Sequence, residues 1–335
     1  MKDKIIDYYL YFFVLCISVL FIGLRYEVGA DYTEYSSLFY SADSTRFEPL
    51  SNIIFELFRY FGFTYNSLSL FLFVITVFLF TLSIKGLQYK TLLLVSFIFF
   101  LFVPLTSTIR QGLSLPFFIL AIINHDSIKK YILFSLLGSL FHASALILLP
   151  LYFVKKIRMT KALFLILLCF SLILGYLNPI GIIIDLAKSL ASDFLYFNKL
   201  LTYSTKYDEP MSISAQVYRL GFIVILLIIW DELDSSVSAC FAKNIYLVMF
   251  MLTLIFKDNG VLINRLTFST NITVIYILSC YLTIEASIKK KALIATSLVL
   301  YFSFNYYKFV YTDLRHSVEK AYIPYKNGLF LDENK

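Results

Sequence analysis

The sequence predicts an all-α, polytopic integral membrane protein with about 10–11 transmembrane or re-entrant helices, in a single membrane domain over residues 1–335. Three observations predict this class. Hydrophobic residues make up 59% of the chain and charged residues 15%, whereas a soluble domain has about 45–50% and about 25%. The mean hydropathy is +0.78. The apolar runs are continuous, as in membrane helices, and lack the alternation of barrel strands.

The apolar runs define the predicted helices. The first run follows a short charged start and lacks a small-residue cleavage site, so we expect a retained helix and not a removed signal peptide. The long run 128–154 is expected to form a hairpin of two short helices, with its tip at Phe141–Ser144. The predicted helices are 5–24, 66–84, 91–107, 109–124, 128–141, 142–154, 161–177, 213–230, 243–256, 261–283 and 292–308.

Lysine positions predict the orientation, because cytoplasmic loops carry an excess of Lys and Arg. Lysine pairs or triplets occupy the loops Lys85–Lys90, Asn124–Lys130, Lys155–Lys161 and Ile288–Lys291, which share one side if 128–154 is a hairpin. With the N-terminus inside, 13 of the 21 lysines, Lys243 among them, fall on the inner side, and Trp230 ends a helix at the inner boundary. The outer side then holds a small cap formed by an outer loop at 25–65, a second loop at 178–212, and the tail 309–335.

Arginines show the opposite distribution. Of the eight arginines only Arg158 falls inside. Because the planar guanidinium grips phosphate or carboxylate at two points, arginines on the outer side indicate an anionic ligand there and have no topological role. Four of them, Arg25, Arg110, Arg219 and Arg265, are predicted at similar depth and would make one positive pocket.

The remaining polar residues indicate candidate catalytic groups and an interfacial helix, and they give no pattern for a zinc site or a disulfide. His142 and Ser144 lie at the hairpin tip, and Asp31 and Glu48 lie in the first outer loop. Segment 49–62, with Glu56 and Arg59 among aromatic residues, predicts an interfacial helix that begins at Pro49 and ends at Gly62. The four cysteines form no CxxC or Cys/His cluster, so neither a zinc site nor a disulfide framework is predicted, and His125 is expected at the surface.

Several short motifs resemble those of the EpsG-like branch of bacterial polysaccharide polymerases, which is related to Wzy-type O-antigen and capsule polymerases. The resemblance covers roughly residues 20–330 and is strongest over 20–155; Arg265 and Pro324-Tyr325 also sit where that family places similar residues. The motifs are Gly23-Leu24-Arg25, Val28-Gly29-Ala30-Asp31-Tyr32, Glu48-Pro49, Ile109-Arg110-Gln111-Gly112 and Phe141-His142-Ala143-Ser144 with Pro150.

The resemblance implies a GT-C-like, inverting, metal-independent glycosyltransferase of the bacterial inner membrane. Such an enzyme moves a growing glycan from undecaprenyl diphosphate to the non-reducing end of a new lipid-linked repeat unit, at the periplasmic or outer face. The implied partners are the lipid-linked oligosaccharide, the bilayer and a chain-length regulator protein. No cofactor, metal or nucleic acid is expected, and the polymer is O-antigen, capsule or exopolysaccharide.

Roles follow as hypotheses. Arg110 and Arg265 would bind the diphosphate with Arg25 and Arg219 in support, because fixed cations stabilise charge that develops on the leaving group. His142, Glu48 and Asp31 are the candidate bases, and His142 is alternatively a donor to the diphosphate. Two other classes remain open: a lipid-linked oligosaccharide flippase, for which polar groups at the midplane and symmetric halves would be expected, and an O-antigen ligase. Saccharide contacts are assigned to Tyr26, Tyr32, Tyr35 and Gln111.

Overall fold

A computed structural model describes residues 2–41, 47–178, 181–182, 213–312, 314–315 and 319–330. Within these residues every element is helical except one antiparallel pair of two-residue strands, so the predicted all-α class is confirmed. Most of the predicted outer loop 178–212, with Arg46 and the end of the tail, lies outside the described residues.

The elements follow the predicted apolar runs closely. A π-helical turn, Val19–Gly23, continues the first helix, and 3-10 turns occupy Ala143–Ile147, Tyr152–Lys156 and Gly328–Phe330. The strands are β1 (Leu314–Arg315) and β2 (Glu319–Lys320). The helices are α1 (Lys2–Ser18), α2 (Tyr32–Tyr40), α3 (Pro49–Tyr60), α4 (Tyr65–Ser83), α5 (Lys90–Phe100), α6 (Phe102–Thr106), α7 (Ile109–Ile123), α8 (Ile128–Ser139), α9 (Leu148–Leu151), α10 (Lys161–Tyr176), α11 (Ile213–Ile228), α12 (Trp230–Asp234), α13 (Val237–Ile255), α14 (Gly260–Ile284) and α15 (Ile288–Thr312).

Several helices are suited to a membrane by length and composition. Among the described residues, four segments are long and apolar enough to cross one: Ile5–Gly23, Tyr65–Ser83, Val237–Ile255 and Leu262–Ile284. The helices α5, α7 and α10 are shorter and apolar. The chain is therefore a helical membrane protein by these criteria.

The chain divides into two compact units, Met1–Tyr152 with Ile275–Lys335, and Phe153–Val274. In the first unit, α4 packs on α7 and α7 on α8, while α5 contacts both α1 and α15. Its core includes side chains from α2, α3, α4, α7 and the hairpin tip, among them Phe39, Phe55, Leu68, Ile109 and Phe141. This core fixes the position of the short helices α2 and α3 against the longer apolar ones.

The run 128–154 is a hairpin, as predicted. The Tyr131 hydroxyl donates to the Leu148 carbonyl at 2.8 Å, and a Cβ added at Gly138 would meet the Ala145 Cβ at 3.1 Å, so the returning chain packs closely on α8. The predicted second helix 142–154 is wrong in detail, since 3-10 turns flank a single α-helical turn. Pro150 lacks the N–H that a continuous α-helix would need there.

Two other helix predictions are corrected. The predicted single helix 91–107 breaks at Leu101 into α5 and α6, because Pro104 removes the N–H that would bond back to Phe100. The predicted helix 243–256 begins earlier, at Val237.

The second unit holds a buried cation, Lys243, which the lysine count placed on the inner side at the start of the predicted helix 243–256. Lys243 is fully buried within α13, where its Nζ forms an ion pair with Asp234 and lies 3.9 Å from the centroid of the Trp230 ring. Trp230 does not end a helix but begins α12 and is buried. The carboxylate and the aromatic face together compensate the charge, which is why this lysine is tolerated in the interior.

Candidate functional site

The turn between α6 and α7 places Arg110 in the first turn of α7. Thr108 precedes the helix with φ −83° and ψ 58°, which breaks the helical path after Thr106. Gly112 allows the two helices to approach, because a Cβ there would meet the Pro104 carbonyl oxygen at 2.6 Å. The Ile109-Arg110-Gln111-Gly112 motif therefore forms the first turn of α7, directly after the turn at Ser107–Thr108, and its arginine projects from there.

Three groups hold the Arg110 side chain. Its Nε donates to the Tyr35 hydroxyl at 3.1 Å, its Nη1 forms an ion pair with Glu48, and its guanidinium carbon lies 4.3 Å from the centroid of the Phe47 ring. The side chain is only 16% exposed. A planar guanidinium can donate at its edge and pack an aromatic ring on its face at the same time, and lysine cannot.

Glu48 joins Arg110 to the hairpin tip. It precedes Pro49, the first residue of α3, and has the extended backbone expected before proline, with φ −63° and ψ 152°. One carboxylate oxygen pairs with Arg110, and the other accepts from the Ala143 amide at 3.1 Å. Two more bonds fix α3 on this tip: the Leu50 amide donates to the Leu140 carbonyl and the Ser51 hydroxyl to the Phe141 carbonyl.

His142 caps the 3-10 turn that begins at Ala143. Its Nδ1 accepts from the Ser144 amide at 3.2 Å and lies 2.8 Å from the Ser144 hydroxyl, and the residue is 5% exposed. Because Nδ1 accepts from a backbone N–H, a neutral ring carries its proton on Nε2. The structure thus brings His142, Glu48 and Arg110 together, and we call these three residues the Arg110 cluster.

Arg25 lies apart from the Arg110 cluster, on the loop after α1. It is 2% exposed, and its Nη1 donates to the Ile22 carbonyl at 2.7 Å. Burial lowers the pKa of the guanidinium, although arginine stays charged in proteins. The loop is held close to α6, where a Cβ at Gly29, with φ +117°, would meet the Thr106 carbonyl oxygen at 2.5 Å.

The predicted saccharide contacts are mostly buried. Tyr32 and Tyr35 belong to the core of the first unit, Gln111 is fully buried and Tyr26 is half-buried. Burial raises the pKa of Tyr32 to about 12 and also raises the pKa of Tyr35, so both hydroxyls stay protonated near neutral pH. Their contact with sugars stays a prediction.

The remaining site predictions are not brought together by the described contacts. Asp31 precedes α2, and its carbonyl accepts from the Tyr35 amide at 3.0 Å. Arg219 lies on α11 and Arg265, partly exposed, on α14, both in the second unit. A single pocket formed by all four arginines stays a prediction. Within the described ranges, no three residues of the His, Cys, Asp and Glu types are placed to hold a metal ion together.

Sequence patterns missed two features that the structure adds. Phe47 packs against Arg110, and its position next to Glu48-Pro49 was the available signal. Ser107 joins distant segments: it accepts from the Ala30 amide at 2.9 Å and lies 2.8 Å from the Tyr322 hydroxyl. His125, expected at the surface, is 1% exposed.

Comparison with known proteins gives one clear result. The model of the EpsG family matches residues 8–327, nearly the whole chain. No curated protein and no solved structure matches it.

Proposed function

The chain belongs to the EpsG family, and from that premise we propose that it is a polysaccharide polymerase of the bacterial inner membrane. The proposed reaction transfers a growing glycan from undecaprenyl diphosphate to the non-reducing sugar of a new lipid-linked repeat unit. It inverts the anomeric centre, needs no metal ion, and takes place at the periplasmic or outer face. The product is an O-antigen, capsule or exopolysaccharide, and the architecture is of the GT-C kind.

The Arg110 cluster is the observation that carries this proposal. It pairs a cation with a carboxylate, and the carboxylate bonds the Ala143 amide next to His142. Such groups suit glycosyl transfer from a lipid diphosphate, because an acceptor hydroxyl must lose a proton while a diphosphate leaves with negative charge.

The proposed chemistry is a single displacement. The acceptor oxygen bonds to the anomeric carbon as the bond from that carbon to the diphosphate oxygen breaks, and the acceptor proton passes to a carboxylate. In the first unit, Arg110 and Arg25 stabilise the departing diphosphate. The fixed positive charges of these arginines take the role that a divalent cation has in other glycosyltransferases.

The geometry favours different roles for the three acid–base candidates. In His142, Nδ1 is occupied by the Ser144 amide, so the neutral ring presents Nε2–H and suits a hydrogen-bond donor to the diphosphate. Both Glu48 oxygens are engaged, one by Arg110 and one by Ala143. We therefore assign the base to Glu48 or Asp31, with Glu48 acting only after its contact with Arg110 or Ala143 loosens.

A reconstituted assay tests the proposal. Purified protein receives lipid-diphosphate-linked repeat units in the presence of EDTA, and products are resolved on a gel. We expect a ladder with the parent chain and with Arg158→Ala, whose exposed side chain lies in the second unit, a weaker ladder with His142→Ala, and no ladder with Arg110→Ala. If the lipid-linked unit crosses proteoliposome membranes and no ladder forms, the chain is a flippase and not a polymerase. Transfer of the glycan to a lipid A core acceptor would indicate a ligase.

A further inference from the structure

Arg25 presents an empty bidentate edge inside the protein. Its Nη1 is used by the Ile22 carbonyl, while Nε and Nη2 are buried and meet no hydrogen-bond acceptor among the described residues. These two N–H groups lie on the same edge of the planar guanidinium and point in parallel, which is the geometry that grips two oxygens of a phosphate or carboxylate. A buried cation with such an edge unpaired costs stability, so the site suits an oxyanion.

Nearby tyrosine hydroxyls are bonded to other groups. The Tyr32, Tyr65, Tyr322 and Tyr325 side chains interact electrostatically with Arg25. However, the Tyr32 hydroxyl donates to Asn66, the Tyr322 hydroxyl pairs with Ser107, and the Tyr325 hydroxyl donates to the Phe21 carbonyl. These three hydroxyls are therefore not bonded to Arg25, and the burial of its guanidinium strengthens any charge-assisted bond made there.

The C-terminal strap, which we define as residues 321–328, closes over the Arg25 loop. Arg25 and Asn327 form an antiparallel bridge, flanked by bonds from the Tyr26 amide to the Lys326 carbonyl at 3.0 Å and from the Gly328 amide to the Leu24 carbonyl at 2.8 Å. The Gly29 amide donates to the Ala321 carbonyl at 2.8 Å. The strap therefore covers the residue whose fork is empty.

The exposed end of the strap is held by contacts that can open. Its ion pair, Lys326 to Glu27 at 2.6 Å, is 46% and 38% exposed, and exposed pairs of this kind contribute little to stability. The start of the strap is fixed, because Ala321 and Tyr322 are buried against Val28 and Phe102. Its end is held by exposed hydrogen bonds from Tyr325 to the Phe21 carbonyl and from Asn327 to the Leu20 carbonyl. The exposed end, 325–328, therefore belongs to the less stable part of the fold, as lids over ligand sites do.

We propose that Arg25 is the bidentate seat of the donor's diphosphate and that the exposed end of the strap, residues 325–328, is the lid that must open to admit it. The identity of the anion rests on the proposed function. The location of its binding site rests on the unpaired Arg25 fork and on the strap that pairs with the Arg25 backbone. This assignment distinguishes the two candidate site arginines of the first unit: Arg110 is bound to Glu48 and also organises the acid–base groups, whereas Arg25 presents an unpaired fork to the leaving group.

A binding measurement that needs no polymer tests the seat. The full chain in phosphatidylcholine nanodiscs is titrated by calorimetry with farnesyl diphosphate, and in separate arms with inorganic pyrophosphate and with phosphatidylglycerol vesicles. Arg25→Lys keeps the charge but loses the fork, so we expect farnesyl diphosphate to bind about tenfold more weakly or worse. Arg59→Lys, a matched change on α3, should leave the dissociation constant as it was. Equal affinity in Arg25→Lys and the parent would overturn the seat, and so would Arg25-dependence confined to phosphatidylglycerol.

The farnesyl and pyrophosphate arms distinguish a lipid-linked anion from a free one. Tighter binding of farnesyl diphosphate than of pyrophosphate supports the donor. If pyrophosphate binds as tightly as farnesyl diphosphate, the site binds an oxyanion without recognising its lipid, and the assignment to a lipid-linked donor is overturned.

Cross-linking tests the lid in the parent chain and does not depend on the folding of Arg25→Lys. A carbodiimide joins the Lys326 amine to the Glu27 carboxylate as an amide, with loss of water, and fixes the strap closed. Treated parent protein should lose farnesyl diphosphate binding in proportion to this cross-link. Treated Lys326→Arg, which keeps the ion pair but lacks the reactive amine, should bind as it did before treatment. Full binding by the cross-linked parent would overturn the lid.

The ladder assay separates this inference from the proposed function. If the protein binds farnesyl diphosphate through Arg25 but makes no polymer, the binding role of Arg25 is supported and the polymerase proposal is rejected. If Arg25→Lys gives a normal ladder and unchanged binding, the binding role of Arg25 is rejected and the polymerase proposal is kept.

Discussion

Glu48 and Arg110 form an ion pair across 62 residues of chain, between the residue before α3 and the first turn of α7. The pair is mostly buried, with side-chain exposures of 20% and 16%. Its second anchor is the Ala143 amide, next to His142. A mostly buried pair with further hydrogen bonds is a feature that fixes geometry more than it stabilises the fold.

Replacing Arg110 by lysine should reduce the polymerisation rate about a hundredfold, because the fork to Tyr35 and Glu48 is lost while the charge remains. Glu48→Gln should have a comparable effect, since the amide keeps the size of the carboxylate but not its charge. The double variant should be little worse than either single one, as expected for residues that act as a unit. Initial rates of ladder formation measure all three.

Arg158→Lys is the control for this series, because that side chain is exposed in the second unit. Strictly multiplicative losses in the double variant would contradict a shared role for Arg110 and Glu48.

The Nδ1 contact predicts how His142 responds to substitution. In His142→Gln the side-chain amide nitrogen takes the place of Nε2–H as a donor, and no base remains. We expect His142→Gln to polymerise about tenfold faster than His142→Ala, the effect of one charge-assisted hydrogen bond. If the two variants were equally inactive, His142 would be the base and its assignment as a donor would be lost.

Gly112 should not accept a side chain. A Cβ would meet the Pro104 carbonyl oxygen at 2.6 Å. That oxygen belongs to the backbone of the short helix α6, so it cannot move aside as a flexible side chain could. Gly112→Ala should lower the free energy of unfolding by about 1–3 kcal/mol, as overpacking does, and should displace Arg110. Thermal unfolding in detergent, with ladder formation, measures both effects. Gly86→Ala is the matched control, since nothing lies within 4 Å of its added Cβ; similar loss in both variants would argue against the close approach of α6 and α7.

The buried lysine of the second unit gives a prediction about stability alone. Asp234→Asn leaves Lys243 buried without its ion-pair partner, and should cost about 3 kcal/mol or more. Asp231→Asn breaks the pair with Lys161, whose side chains are 82% and 45% exposed, and should cost less than about 1 kcal/mol. Unfolding midpoints of the two variants in the same detergent make the comparison. A larger loss from Asp231→Asn would mean that Lys243 is compensated chiefly by Trp230.

The structure differs from the sequence prediction for two kinds of reason. Lys243 was counted on the inner side from its charge, but Asp234 and Trp230 make its burial tolerable. The break at Leu101 follows from Pro104, a local signal that an apolar run conceals. A helix at 49–62 was predictable because Pro49 and Gly62 mark its ends, and the structure gives α3 as Pro49–Tyr60 with Gly62 at φ +71°; its interfacial location stays a prediction.

By itself the sequence determined the membrane class, most of the helices, the hairpin, and the family to which the motifs belong. These follow from hydropathy and short motifs, which are properties of neighbouring residues. Only the tertiary structure decided that Glu48 joins Arg110 to the Ala143 amide, and that the Arg25 fork is empty beneath the strap. Those facts depend on contacts between residues 62 to 304 positions apart, and the pairing of such distant groups is set by packing of the whole fold.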